Sequence, residues 1–143
     1  MFKKILVPTD GLFHSRKAAE YATKLAKLTN AEIVVIHVVP TSLTARTFAR
    51  DLSQLRSEYY DNGKAFLKQI ESICTRESVP VRTVLTEGIV SQEILRAAET
   101  EKVDIIVIGS RRKSSIERFV TGRVSDDIIR NSKCPVIVLN TPW

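Results

Sequence analysis

The chain has 143 residues, 43% of them hydrophobic, with 22 Lys+Arg against 16 Asp+Glu, a net charge of +6 and two Cys. A chain of this length buries about 68–70% of its unfolded surface, enough for one domain, residues 1–143, with a core that needs neither disulfides nor metal, and intrinsic disorder is excluded. The longest aliphatic runs are four residues, Ile33 to Ile36, Ile105 to Ile108 and Val136 to Leu139, against the roughly 20 that cross a bilayer. The start Met1-Phe2-Lys3-Lys4 leads into an apolar stretch that ends at Pro8 without a small-residue cleavage site, so the expected location is cytoplasmic.

Taken in chain order, Lys4 to Thr9 reads as a first strand. Ser15 is a candidate N-cap for a helix whose buried face is Ala18, Ala22, Leu25, Ala26 and Thr29, and Asn30 closes it. Ile33 to Val39 is a continuous apolar run of the kind buried on both faces of a parallel sheet, and Pro40 ends it. Thr41 to about Ala45 is polar and turn-like. Phe48, Leu52, Leu55, Tyr59, Phe66, Ile70 and Ile73 then mark a long amphipathic helix, weakened at Gly63. Val81 to Thr86 reads as a third strand, and a third helix capped by Ser91 buries Ile94, Leu95 and Ala98. Val103 to Ile108 is the fourth strand. A last helical stretch carries Ile116, Phe119, Val120, Val124 and Ile128, interrupted at Gly122, and Val136 to Leu139 is the last strand.

Strict alternation of strand and helix predicts a doubly wound α/β domain with a five-stranded parallel sheet covered on both faces. Ligands of such sheets bind outside the carboxyl ends of the strands where strand order reverses. With the first and fourth strands as flanks, Pro8-Thr9-Asp10-Gly11 and Gly109-Ser110-Arg111-Arg112 face one crevice.

The charge is concentrated there. Arg111, Arg112, Lys113, Arg118 and Arg123, opposed by Glu117 alone, carry +4 of the +6 within Gly109 to Arg123. This distribution disfavours a surface built for general nucleic-acid binding and favours one anion-facing segment. Gly109 and Gly122 admit close backbone approach, and a helix N-terminus adds oriented N–H donors, so the segment reads as a phosphate cradle or as a solvated basic loop. Asp10 reads either as an acceptor for ribose or adenine donors, or for magnesium on phosphates, or as a turn or cap aspartate. His14 and His37 lack partner spacing for a metal or a triad and read as structural or surface residues. Cys74 and Cys134, sixty residues apart and without a CxxC, read as simple thiols. No paired carboxylates, GxSxG elbow or zinc-ligand cluster is visible.

The ordered set KKILVPTD, VVIHVV, DIIVIGS and CPVIVL resembles the universal stress protein family over essentially the whole chain. The resemblance implies this fold, a homodimer formed through the last strand with Val136 and Val138 near its axis, and, in many members, ATP in the crevice. Nucleotide-binding members carry GxxG, nine residues, then Gly and Ser or Thr. Here the register gives Gly109, Arg112, Lys113 to Thr121, Gly122 and Arg123, so two of the four positions are changed. Arg112 and Arg123 add guanidinium groups that suit phosphate, while Arg112 puts bulk where backbone would approach it. By the same resemblance Pro8, Thr9, Asp10 and Val38 fall on the nucleoside side, with Gly109, Arg111, Arg112, Gly122, Arg123, Val124 and Ser125 on the phosphate side.

Other folds with this element order lack their own signatures here. A receiver domain needs an acidic cluster after the first strand, a flavodoxin a hydroxyl-rich loop there, and an adenylating enzyme an SGGxDS or HxGH loop. The reading is a small binding or signalling protein for ATP or another adenine nucleotide, with magnesium where phosphates bring it and at most weak ATP hydrolysis. Two alternatives stay open: a nucleotide-independent dimeric interaction module, and oligonucleotide binding through residues 111–123.

Overall fold

The computed structural model of the protein describes residues 2–44, 49–112 and 123–142. Its elements are β1 (Lys4–Pro8), α1 (Phe13–Thr29), β2 (Glu32–Pro40), α2 (Thr41–Thr44), α3 (Ala49–Arg76), β3 (Val81–Gly88), α4 (Val90–Thr100), β4 (Ile105–Arg112), α5 (Arg123–Asn131) and β5 (Val136–Pro142). The strands form one five-stranded sheet in the order β3-β2-β1-β4-β5, with every pair parallel. The order reverses between β1 and β4, as the sequence predicts.

Alternating side chains of the β-branched strands point to opposite faces and build two cores. Ile5, Val7, Ile33, Val35 and Val107 meet the Ala18, Ala22 and Ala26 face of α1 and Leu67 and Ile70 of α3. Leu6, Val34, Ile36, Val38, Ile106 and Ile108 meet Ile94 of α4 and Ile128 of α5. Each fully buried Ile or Leu contributes about 1.5–3 kcal/mol, so two filled faces are ample for an uncrosslinked domain. Among the described residues no helix is long and apolar enough to cross a membrane.

The alanine face of α1 lets that helix sit close to the sheet. A Cβ on Gly109 of β4 would lie 2.2 Å from the His14 carbonyl oxygen. Gly109 is therefore required by the approach of α1, a reason independent of any ligand. At the opposite end of the sheet, the Asp104 carboxylate accepts the Lys3 and Lys4 N–H groups at 2.7 and 2.9 Å. These two hydrogen bonds hold its pKa below the ordinary carboxylate value.

The structure corrects several sequence expectations. Neither serine caps a helix: α1 follows Leu12 and α4 follows Ile89, both without a side-chain cap bond. Ser15 lies inside α1 and donates to the Leu12 carbonyl, and Ser91 lies inside α4 and donates to Asp127 of α5. Thr41–Thr44 is a short helix rather than a turn. The fourth strand does not stop at Ile108 but runs through Gly109 to Arg112, paired with Leu139 to Pro142 of β5. The beginning of the supposed basic loop is thus strand. Asn30 closes α1 in the left-handed conformation, φ 56°, as expected. Residues 113–122, with Gly122 and the first half of the last helical stretch, and Trp143 lie outside the described residues.

Candidate functional site

The site originates in unequal pairing around β1. Five residue pairs join β1 to β2, from Lys4↔Glu32 to Pro8↔Ile36, whereas β1 meets β4 only at Ile5↔Ile105 and Leu6↔Ile106. Among the described residues the register between the two strands ends at Leu6↔Ile106, and beyond it they part. A cavity of about 710 Å³ opens at this carboxyl-end rim. Its walls come from both sides of the sheet, because β2 ends between two helical layers.

On the α4 and α5 side the wall is apolar: Ile36, Val38, Val90, Ile94, Ile108 and Val124. The first turn of α5 closes this side with Arg123, Val124 and Ser125. The first-turn N–H groups of a helix lack intrahelical partners and carry partial positive charge. Val124 and Ser125, with Gly109 opposite, form an anion-compatible corner.

On the α1 side the site is polar. Asp10 Oδ1 accepts the Leu12 N–H at 2.9 Å and the Ser15 hydroxyl at 3.1 Å, and His14 Nε2 lies 3.0 Å from Oδ2. The hydroxyls of Thr9 and Ser15 are 3.1 Å apart, and the Gly11 N–H donates to Thr9 Oγ1. Burial pushes the Asp10 carboxyl up, but the His14 and Leu12 hydrogen bonds, the His14 charge and the Ser15 hydroxyl outweigh it. The group stays ionised below the ordinary carboxylate range. Asp10 is therefore a turn aspartate, as one of its sequence readings has it, and it also lines the cavity. The Leu12, Ser15 and His14 contacts leave one of the about four lone-pair sites of the carboxylate, on Oδ2. Among the described residues no three His, Cys, Asp or Glu side chains are grouped to hold a metal.

His37 has a definite role that its sequence setting does not reveal. Its Nδ1 lies 2.8 Å from the Thr9 carbonyl oxygen, and the Thr9 N–H donates to the Ile36 carbonyl at 2.9 Å. A carbonyl can only accept, so Nδ1 carries a proton, and Nε2 is an acceptor whenever the ring is neutral. The ring is 9% exposed, meets Phe66 edge-on with centroids 5.3 Å apart, and lines the cavity. Tyr59, Asn62 and Phe66 of α3 complete this wall. Tyr59, Asn62 and Phe66 were not site candidates in the sequence, whereas the resemblance places His37-Val38-Val39 at the strand end near the base. The available signal was the apolar spacing of α3 broken by Gly63.

Residues 1–140 match the universal stress protein family. The chain belongs to the universal stress protein family. A universal stress protein of Methanocaldococcus jannaschii is 36% identical over 99% of this chain and 84% of its own length, and one of Bacillus subtilis is 31% identical over 97% and 99%. A solved M. jannaschii structure, described as a structure-based assignment of biochemical function, superposes with TM-score 0.85 at 27% identity, covering 99% of this chain and 97% of that one. Two solved proteins with the universal stress fold hold nucleotides: one from Archaeoglobus fulgidus in complex with dAMP (TM-score 0.69, 23% identity, 96% and 97% covered) and one in complex with cAMP (TM-score 0.68, 16% identity, 97% of both chains).

Of the site residues expected of this universal stress protein, Pro8, Thr9, Asp10, Val38, Gly109, Arg123, Val124 and Ser125 line this same cavity. Arg111 and Arg112 end β4 in register with Thr141 and Pro142, and Gly122 lies outside the described residues. Val136 and Val138 lie on β5, which forms one edge of the sheet.

Proposed function

We propose that the protein is a binding module for an adenine nucleotide, seated where β1 and β4 part. The cavity itself carries this reading: an apolar slot beside an ionised carboxylate and the first turn of a helix matches the base, ribose and phosphate of one ligand. The base lies between Val38, Ile108 and Val124, the ribose hydroxyls donate to Asp10, and the phosphates meet Gly109, Ser125 and Arg123. Arg111 and Arg112 add positive charge at the same strand end. The dAMP and cAMP complexes of proteins with this fold support the ligand class. Magnesium accompanies the phosphates of ATP, with Asp10 within reach on the same rim, and the role is binding, with at most weak hydrolysis.

The edge of β5, partly exposed at Val136 and Val138, supports a homodimer through strand pairing. Sedimentation showing a monomer at high micromolar concentration refutes it.

The nucleotide reading is tested by denaturing purified protein, identifying released nucleotide by mass spectrometry, and titrating the stripped protein with MgATP by calorimetry. Release of an adenine nucleotide or heat of binding supports it. Neither, at millimolar ATP, leaves the nucleotide-independent interaction module. Restoring the family pattern with Arg112→Gly and Arg123→Ser separates two roles for the arginines. Weaker binding makes them phosphate ligands, and binding only in the variant makes them blockers. Salt-sensitive RNA or DNA binding without a mononucleotide response would point to residues 111–123 instead.

A further inference from the structure

We propose that the cavity has a second, aromatic lobe on its α3 side and accepts a dinucleotide, two nucleosides joined by a phosphate bridge. The proposal rests on the nucleotide reading and extends it to the half of the cavity that one nucleoside leaves unused.

The first observation is the division of the walls. His37 and Val38 are adjacent on β2 and point to opposite faces, so the cavity saddles the rim with Asp10 at its ridge. The α4 and α5 side is an apolar slot, complete for one base. The α3 side has the makings of another base site. Tyr59, Asn62 and Phe66 recur at spacings of three and four residues on one helix face, with Gly63 between them. Two aromatic rings and the imidazole supply flat surfaces, and Asn62 supplies an amide.

The second observation is an unused acceptor. The Thr9 carbonyl takes the Nδ1 proton of His37, leaving the Nε2 lone pair of a nine-tenths buried side chain without a hydrogen bond to any described residue. Gly63 is what allows the ring this position: a Cβ there would be 2.7 Å from Cδ2 and 3.4 Å from Nε2. With the proton on Nδ1, Nε2 accepts whenever the ring is neutral, and the exocyclic amino group of adenine is a matching donor. The third observation is size. AMP, with about 23 non-hydrogen atoms at close-packed density of about 18 Å³ each, fills about 410 Å³ of the 710 Å³ present. The remaining volume of about 300 Å³ holds a second base, about 180 Å³ at the same density, but not a whole second nucleoside, so the rest of a dinucleotide lies outside the cavity.

Calorimetry of the stripped protein with AMP, ATP and diadenosine triphosphate tests this, ATP being the control that has the phosphate chain without the second nucleoside. Diadenosine triphosphate is expected to bind about tenfold or more tightly than ATP. Tyr59→Ala and Asn62→Ala should each remove most of that advantage while leaving AMP affinity within about twofold. His37→Asn is the decisive variant, because the Asn amide keeps a donor near the Nδ1 position and loses the Nε2 acceptor. It should retain AMP binding and lose the preference for the dinucleotide. Equal affinity for ATP and diadenosine triphosphate, or an advantage that all three variants retain, overturns the second lobe and leaves the mononucleotide site standing. Failure of AMP, ATP and the dinucleotide alike overturns the nucleotide reading and the lobe with it.

Discussion

Gly63→Ala isolates the coupling between α3 and the site, because two effects of known size oppose each other there. In an exposed helix interior, replacing Gly by Ala stabilises by about 0.8–1.0 kcal/mol. At Gly63 the added methyl would lie 2.7 Å from His37 Cδ2 and 2.9 Å from a Leu85 methyl. The His37 ring cannot swing away cheaply: Nδ1 is tied to the Thr9 carbonyl at 2.8 Å and Phe66 packs against its edge. Overpacking a filled position costs about 1–3 kcal/mol. The net expectation is a loss of about 1 kcal/mol, or about 2–4 °C in Tm for a domain near this size. Urea denaturation with an unchanged slope gives the free energy, and the His37 Nδ1 proton in an NMR spectrum should exchange faster as its bond to Thr9 loosens. A variant more stable than wild type with an unmoved imidazole signal would refute the reasoning.

Three further outcomes follow from the same geometry. Gly109→Ala places a Cβ 2.2 Å from the His14 carbonyl, a clash with backbone that no rotamer relieves; a loss of about 2–3 kcal/mol is expected in urea titration, and less than about 0.5 kcal/mol would contradict it. Asp10 has a depressed folded-state pKa, so its stabilising effect is full above the unfolded value near 3.9 and fades as pH falls through the folded value. Wild type and Asp10→Asn should therefore differ in urea midpoint at pH 7 and converge in strong acid. Burial pushes the Cys74 thiol up, whereas Cys134 is partly exposed, so a thiol reagent should label Cys134 in the native protein and Cys74 only on unfolding.

The architecture was legible because it rests on local signals. Runs such as Ile33 to Ile36 and Ile105 to Ile108 are fully β-branched, and the alanine stripe of α1 has helical period. Features that depend on distant partners were not legible. Gly109 to Arg112 looks like a loop from its composition and is strand because Leu139 to Pro142 pairs with it. Ser15 and Ser91 have the chemistry of caps, yet their hydroxyls serve Asp10 and Asp127 instead. His37 is the clearest case: its tautomer is set by a carbonyl 28 residues earlier in the chain, and no local pattern carries that information. Asp10-x-x-x-His14 was readable in principle as an i,i+4 pair, but Asp10 precedes the helix, so helical spacing alone gave no reason to pair them.

Arg123 connects the charge distribution to the site. It is the first residue of α5, exposed, and lines the cavity. A cation at a helix N-terminus opposes the helix dipole, at a cost of about 0.3–1 kcal/mol, whereas Asp126 in the same turn has the favourable sign. Local stability therefore does not explain Arg123. The opposition disappears when an anion sits between the guanidinium and the N–H groups of the first turn, because both then attract the same charge. The family hydroxyl at this position would donate one hydrogen bond without adding charge. Arg123 exchanges that donor for a longer reach and a full positive charge, which favours a ligand whose phosphates extend away from the base slot over a compact monophosphate. Arg123→Ser should thus weaken ATP more than AMP, with a smaller difference at high salt where the charge is screened. Equal losses for the two nucleotides would place Arg123 outside phosphate recognition and leave its position at the head of α5 without an electrostatic cause.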